Sequence, residues 1–126
     1  YFSLNDKITT FSGGGYTFSQ ANSYQGPIDL SSAGGTTLGT QEFSMMYSIR
    51  KITLPAGIAN IPEATFRYCY ALKEIVIPNN TPPSLVLTNT FQDLPSDYVI
   101  KVPSGSVATY KAATNWDSIA SHIVAI

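Results

Sequence analysis

The stretch Ala71–Asn80 reads ALKEIVIPNN, and Ser48–Gly57 reads SIRKITLPAG. Both set an apolar residue, two spacers, an apolar residue, one spacer, another apolar residue and then proline. Phe43, Ile49, Ile52, Leu54 and Pro55 each stand 23 residues before Phe66, Leu72, Ile75, Ile77 and Pro78, and Met46 stands 23 before Cys69. Agreement at this many positions in one register marks an internal repeat, and a period of this length is that of a stacked solenoid coil.

A third copy follows at a spacing of 25, with Phe91, Ile100, Val102 and Pro103 in the places of Phe66, Ile75, Ile77 and Pro78. The two extra residues are expected near NNTPPS, Asn79–Ser84, where prolines favour a rigid outward loop. A weaker, earlier copy is suggested by Leu30, 24 before Leu54, and Leu38, 23 before Ile61.

The pattern predicts strands at 52–54, 75–77 and 100–102. Alternation turns Ile75 and Ile77 inward and Val76 outward. Proline closes each strand, because it has no N–H for the ladder and restricts the residue before it. Ile58 and Ile61 are expected to turn the chain around the coil. PEATFRYCYAL then crosses back in a turn or two of helix or 3₁₀ helix, with Phe66, Cys69 and Leu72 as its core stripe. The expected fold class is an α/β solenoid: a parallel sheet with one strand per coil, short helical crossovers and a helical C-terminal cap. A single coil cannot bury its apolar face, so stacking does it; each Ile or Phe buried is worth about 1.5–3 kcal/mol.

The expected organisation is one domain in three parts. Residues 1–40 form a hairpin-like or degenerate-repeat cap, with Ile8 and Phe11, then Tyr16 and Phe18, bracketing Gly13–Gly15. Residues 41–103 are the repeats. Residues 104–126 break the period and form the C-terminal cap. There, Ser104 or Ser106 opens a helix with Val107, Tyr110 and Lys111, and Asn115 opens a turn through Trp116 and Ile119. Val107, Tyr110 and Trp116 are expected to cover the open end.

Composition bounds the function. The 126 residues carry 7 basic and 8 acidic side chains, so the near-zero net charge argues against nonspecific nucleic-acid binding and against a polybasic membrane patch. No apolar run is long enough to span a membrane. The single cysteine, Cys69, excludes an internal disulfide. The chain opens on Tyr1, which suggests a processed or trimmed piece whose targeting signal lies outside it. Low charge with many Ser, Thr, Tyr, Gly and Asn leans toward an exported surface module.

No catalytic constellation emerges, and no cofactor or metal is expected. His122, the only histidine, lacks neighbours at ligand spacing. Cys69 occupies the core stripe, where it packs as a small hydrophobe. Ser12–Gly15 lacks the Lys-Ser/Thr ending of a phosphate loop. Glu63, Glu74, Asp93, Asp97 and Asp117 show no calcium-loop spacing, and Asn79–Thr81 is read as an accidental glycosylation triplet.

Binding is therefore sought on repeated surfaces. The outward strand positions form three columns: Arg50, Lys73 and Tyr98; Lys51, Glu74 and Val99; Thr53, Val76 and Lys101. An exposed Tyr98 beside Lys and Arg would suit a peptide or a sugar. The plainer alternative is that these charges keep the sheet soluble. On the crossover side, Tyr47 and Tyr70 stand 23 apart and should stack in one column, with Tyr68 beside them. If exposed, that cluster suggests a protein contact.

Leu72, Lys73, Ile75, Ile77 and Pro78, with Ile58, Ile61, Ala64, Phe66 and Cys69, resemble the BspA-like leucine-rich repeats of the treponemal surface-antigen type. KVPSGSVATYKAATNW and TPPSL resemble the cap and final repeats of such proteins in gut Bacteroides and relatives. The resemblance covers Gln41–Ile126, and PEATF departs from the family's usual glycine and xxAF. It implies a right-handed β-solenoid and secretion or surface anchoring, often through a lipoprotein signal. It also implies adhesion to a host or bacterial surface protein or glycan, and brings no catalytic residues. The rival expectation is a spacer or capping module of a larger surface protein.

Overall fold

A computed structural model describes residues 27–31, 38, 43–86 and 88–126. Its elements in chain order are β1 (Ile28–Asp29), β2 (Lys51–Thr53), β3 (Asn60–Ile61), β4 (Glu74–Val76), β5 (Ser84–Leu85), a 3₁₀ turn (Thr88–Phe91), β6 (Val99–Val102), a 3₁₀ turn (Ser104–Ser106), α1 (Val107–Ala112), a 3₁₀ segment (Trp116–His122) and β7 (Ile123–Ala125). The expected glycine hairpin around Gly13–Gly15 lies outside the described residues.

A ladder of isoleucines fixes the stacking. Ile28 pairs with Ile52, Ile52 with Ile75, Ile75 with Ile100 and Ile100 with Ile123, all in parallel strands and all buried. The main sheet runs β1-β2-β4-β6-β7. The ladder extends past the strand ends, where Leu30, Leu54 and Ile77 donate backbone N–H bonds of 2.8–2.9 Å to Thr53, Val76 and Lys101 of the next coil. This is the expected solenoid, with parallel strands, short crossovers and a helical cap.

Four details refine the pattern; the first bears out the expected earlier copy and the others depart from it. The weak copy around Leu30 carries a strand of the sheet, β1. The C-terminal stretch does not break the period: after α1 and the 3₁₀ segment the chain returns as β7, in register with β6. Ile123 stands 23 after Ile100, so the signal was present, but helix-forming residues between them masked it. Third, the coil's second corner is itself a strand, because β3 pairs in parallel with β5 as Asn60 to Ser84 and Ile61 to Leu85. That register, at a spacing of 24, leaves only one of the two extra residues at NNTPPS; the other falls between Leu85 and Phe91. Fourth, the crossover PEATFRYCYAL is a chain of turns. Bonds from Arg67, Cys69 and Leu72 N–H to the carbonyls of Ala64, Phe66 and Cys69, at 3.1–3.2 Å, keep a 3₁₀-like pattern. Ala64 and Tyr68, at φ of 59° and 63°, stop it becoming a helix.

The crossovers supply a second core column. Phe43, Phe66 and Phe91 stack at 5.6 and 5.9 Å. Phe91 meets Tyr98 at 5.8 Å, and Tyr98 lies flush on His122 at 3.9 Å and 6°. Met46, Cys69 and Leu94 form the neighbouring buried column. The Cys69 thiol donates to the Phe43 carbonyl at 3.0 Å, and burial pushes its pKa up to about 12, so it is packed as an inert thiol.

Trp116 and Tyr110 close the end, as expected. Trp116 is buried, its indole N–H donates to the Pro83 carbonyl at 2.8 Å, and its ring meets Tyr110 edge-on at 5.3 Å. The Tyr110 hydroxyl donates to the Asn79 carbonyl at 2.9 Å. The expected caps act differently. Ser106 precedes α1 but makes no side-chain capping bond. Asn115, at φ 68°, sends its amide to the Leu85 and Val86 carbonyls at 2.7 and 3.2 Å, which ties the cap to the loop after β5.

Candidate binding surfaces

The outward face of the main sheet follows from strand alternation. Lys51, Glu74 and Val99 align across β2, β4 and β6, and Thr53, Val76 and Lys101 align beside them. Glu74 is the hub: one carboxylate oxygen lies 3.1 Å from Lys51 Nζ and the other 3.4 Å from Lys101 Nζ. Burial alone would raise the Glu74 pKa, but the two ammonium groups outweigh it and hold the carboxyl below its ordinary value. Lys73 pairs with Asp97 at 3.3 Å, with both side chains well exposed, and Arg50 is exposed.

Tyr98 does not belong to this face. It is 6% exposed, and its ring is sandwiched by Phe91 and His122. The reason is phase: Tyr98, Ile100 and Val102 alternate inward, leaving Val99 and Lys101 outward. Arg50 and Lys73 share that repeat position, just before β2 and β4 as Tyr98 is just before β6, but their side chains are exposed. There the Arg50 carbonyl accepts both the Lys73 and Glu74 N–H at 3.1 and 3.2 Å. Burial pushes the Tyr98 phenol up to about 12. The face that remains is Arg50, Lys51, Thr53, Lys73, Glu74, Val76, Val99 and Lys101.

On the crossover side the expected tyrosine column forms. Tyr47 and Tyr70 stack at 6.0 Å and 8° while remaining 42% and 55% exposed. Tyr68 meets Tyr70 at 6.1 Å and 51°, and the Arg67 guanidinium sits 4.8 Å from the Tyr68 ring centre. Asp93, at the repeat position of Tyr68, accepts the Tyr68 backbone N–H at 2.9 Å and braces the left-handed residue. Sequence reading found the tyrosines but not the roles of Arg67, which depends on how its side chain folds over its neighbour, and of Asp93, which depends on which coil neighbours which.

Two hollows complete the surface. A groove of about 480 Å³ between the last crossover and the cap is lined by Phe91, Leu94, Tyr98, Ile119 and His122, with Gln92, Ser96 and Ser118 at its edge. His122 Nδ1 lies 2.8 Å from the Tyr98 carbonyl oxygen, which can only accept, so Nδ1 carries the proton. The histidine thus ties the cap segment to the residue preceding β6. A second hollow of about 310 Å³ lies beside Asn79. Asn79 sends its amide to the Ile58 carbonyl at 2.7 Å, so this side chain is already engaged within the fold. Among the described residues no group of three or more His, Cys, Asp or Glu could hold a metal ion, and no helix is long and apolar enough to cross a membrane.

Parallel strands repeated at 23–25 residues, a stacked phenylalanine column and a helical cap define a leucine-rich-repeat solenoid. The profile of the BspA type Leucine rich repeat region, in six copies, matches residues 1–110. The chain belongs to this family. The match reaches further toward the N-terminus than the resemblance over Gln41–Ile126. A search of the curated proteins found no match.

Proposed function

We propose that this domain is a non-enzymatic binding module that engages a protein or glycan through the outward strand face. The observation that carries the reading is the concentration of charge there. Arg50, Lys51, Lys73 and Lys101, four of the chain's seven basic residues, stand on or beside this face with three carboxylates among the described residues, Asp29, Glu74 and Asp97. Family membership supports it, because repeat arrays commonly bind through their repeated face. The module acts outside the cell or at its surface, as in Bacteroides-like bacteria, and is held there by a lipid on a removed N-terminal signal.

The test is binding of the purified domain to immobilised mucin glycans, matrix proteins and cell-wall fragments, with Lys51→Ser/Lys101→Ser alongside. Saturable binding weakened by that variant supports the reading. Binding that the variant leaves unchanged removes the strand face from it. A second reading is a spacer or cap within a larger surface protein. The Glu74 bridge favours it, since charges that satisfy one another also serve solubility. A clean negative across the panel would favour the spacer.

A further inference from the structure

We propose that the Tyr47, Tyr68, Tyr70 and Arg67 cluster is a separate docking surface for a protein segment that brings a carboxylate to Arg67 and lays an apolar side chain on the tyrosine rims. It lies on the crossover side and does not depend on the strand face.

Exposure sets this cluster apart. Tyr47 and Tyr70 are the two exposed aromatics among the described residues' large hydrophobics, and they adjoin each other. A repeat column of rings continues inward as core for phenylalanine, but here it is left in solvent. It ends abruptly: Pro95 stands 25 after Tyr70, the same step that carries Phe66 to Phe91, so no ring covers Tyr70 from the next coil. In the sequence, Tyr24 stands 23 before Tyr47.

Ring orientation then selects the ligand. Sugars bind aromatic residues through the ring face, but Tyr47 and Tyr70 each give one face to the other and Tyr68 has the Arg67 guanidinium over its ring, which leaves the shared rims and the outer face of Tyr70. Stacked rings offer solvent their rims. A rim is the positive edge of the aromatic quadrupole, and each phenol adds an O–H donor. Arg67 forms no ion pair among the described residues, while Asp93, the nearby carboxylate, is engaged by the Tyr68 N–H. The free chemistry is thus donor-rich, with the Arg67 cation beside the Asp93 carboxylate; the guanidinium calls for a carboxylate and the phenols for carbonyl acceptors. Tyrosine and arginine together are also the composition of protein-binding hot spots.

The backbone points the same way. Tyr68 holds φ at 63°, a left-handed conformation that non-glycine residues rarely adopt. Asp93 from the following coil braces it there, so the ring is presented from a fixed position.

The test uses a phage-displayed library of random dodecapeptides selected on the 126-residue chain, with counter-selection on Tyr47→Ala/Tyr70→Ala. Recovered peptides should be enriched in Asp or Glu next to an apolar residue. For the best of them, measured by fluorescence anisotropy, replacing Glu by Gln or making Arg67→Gln should each weaken binding about tenfold, and the double tyrosine variant by about thirtyfold or more. Lys51→Ser/Lys101→Ser should leave this binding unchanged, which separates its failure from that of the strand-face reading. Both tyrosines are exposed, so the variants should keep the wild-type circular dichroism spectrum; Tyr47→Phe/Tyr70→Phe retains the rims and most of the binding. Selected peptides without acidic enrichment, or ones that still bind the double alanine variant, would overturn the proposal. So would failure to select any peptide, or saturable binding of a neutral glucan such as laminarin that the double alanine variant loses.

Discussion

Phe66→Ala tests the central physical claim, that the crossover column is core. Phe66 is fully buried and stacked on both sides, 5.6 Å from Phe43 and 5.9 Å from Phe91. Truncation to alanine removes the ring's transfer free energy and leaves a cavity, together about 3–5 kcal/mol for a core phenylalanine. The upper end applies here, because the strands on one side and the neighbouring coils on both others hold the walls apart. The loss should be about 4–5 kcal/mol, a large part of the total of about 5–15 kcal/mol for a domain. In urea, with a slope of about 2 kcal/mol/M, the unfolding midpoint should fall by about 2 M. Tyr70→Ala, the same kind of ring in the adjacent exposed column, should shift stability by no more than about 0.5–1 kcal/mol. Equal losses for the two variants, or a Phe66→Ala loss below about 2 kcal/mol, would refute the reasoning.

Three further expectations follow from particular contacts. Trp116→Phe removes the indole donor to Pro83 and should cost about 1–3 kcal/mol, with faster tryptic cleavage at Lys111 as the cap loosens; unchanged cleavage would place the cap's anchorage elsewhere. Cys69, with its thiol pushed up to about 12, should not react with an aromatic disulfide reagent at pH 8 until the chain unfolds, so rapid native-state labelling would contradict its burial. Glu74 has a folded pKa below its unfolded one, so its contribution is complete above the unfolded value and is lost as pH falls through the lowered folded value. The stability gap between wild type and Glu74→Gln should therefore be open at neutral pH and close below about pH 4.3; a gap that persists in acid would rule out the ionic bridge as its source.

Much of this fold was written in the sequence, because a solenoid repeats one local solution and the repeat makes it legible. The inward isoleucines at Ile52, Ile75 and Ile100, the Phe43–Phe66–Phe91 column and the Tyr47–Tyr70 pair all follow from a shared period, since parallel coils set equivalent positions one strand spacing apart. The cap residues Tyr110 and Trp116 were legible too, as large amphipathic rings beyond the last prominent strand.

What tertiary structure alone decided is the phase and partner of residues at the repeat's edges. Tyr98, Arg50 and Lys73 occupy one repeat position, immediately before β6, β2 and β4, yet only the tyrosine is buried, because its ring stacks between Phe91 and His122 while the two cations stay in water. β7 rejoins the sheet because Ile123 can close the isoleucine ladder, a long-range pairing that outweighs the helical run before it. Asp93 on the Tyr68 N–H joins atoms from adjacent coils, and Arg67 settles over the ring of its chain neighbour Tyr68; both contacts come from side-chain reach rather than periodicity. Period determines which residues share a column; which of them face water, and what they face there, depends on the chemistry of each side chain and on what the neighbouring coil can extend across the gap.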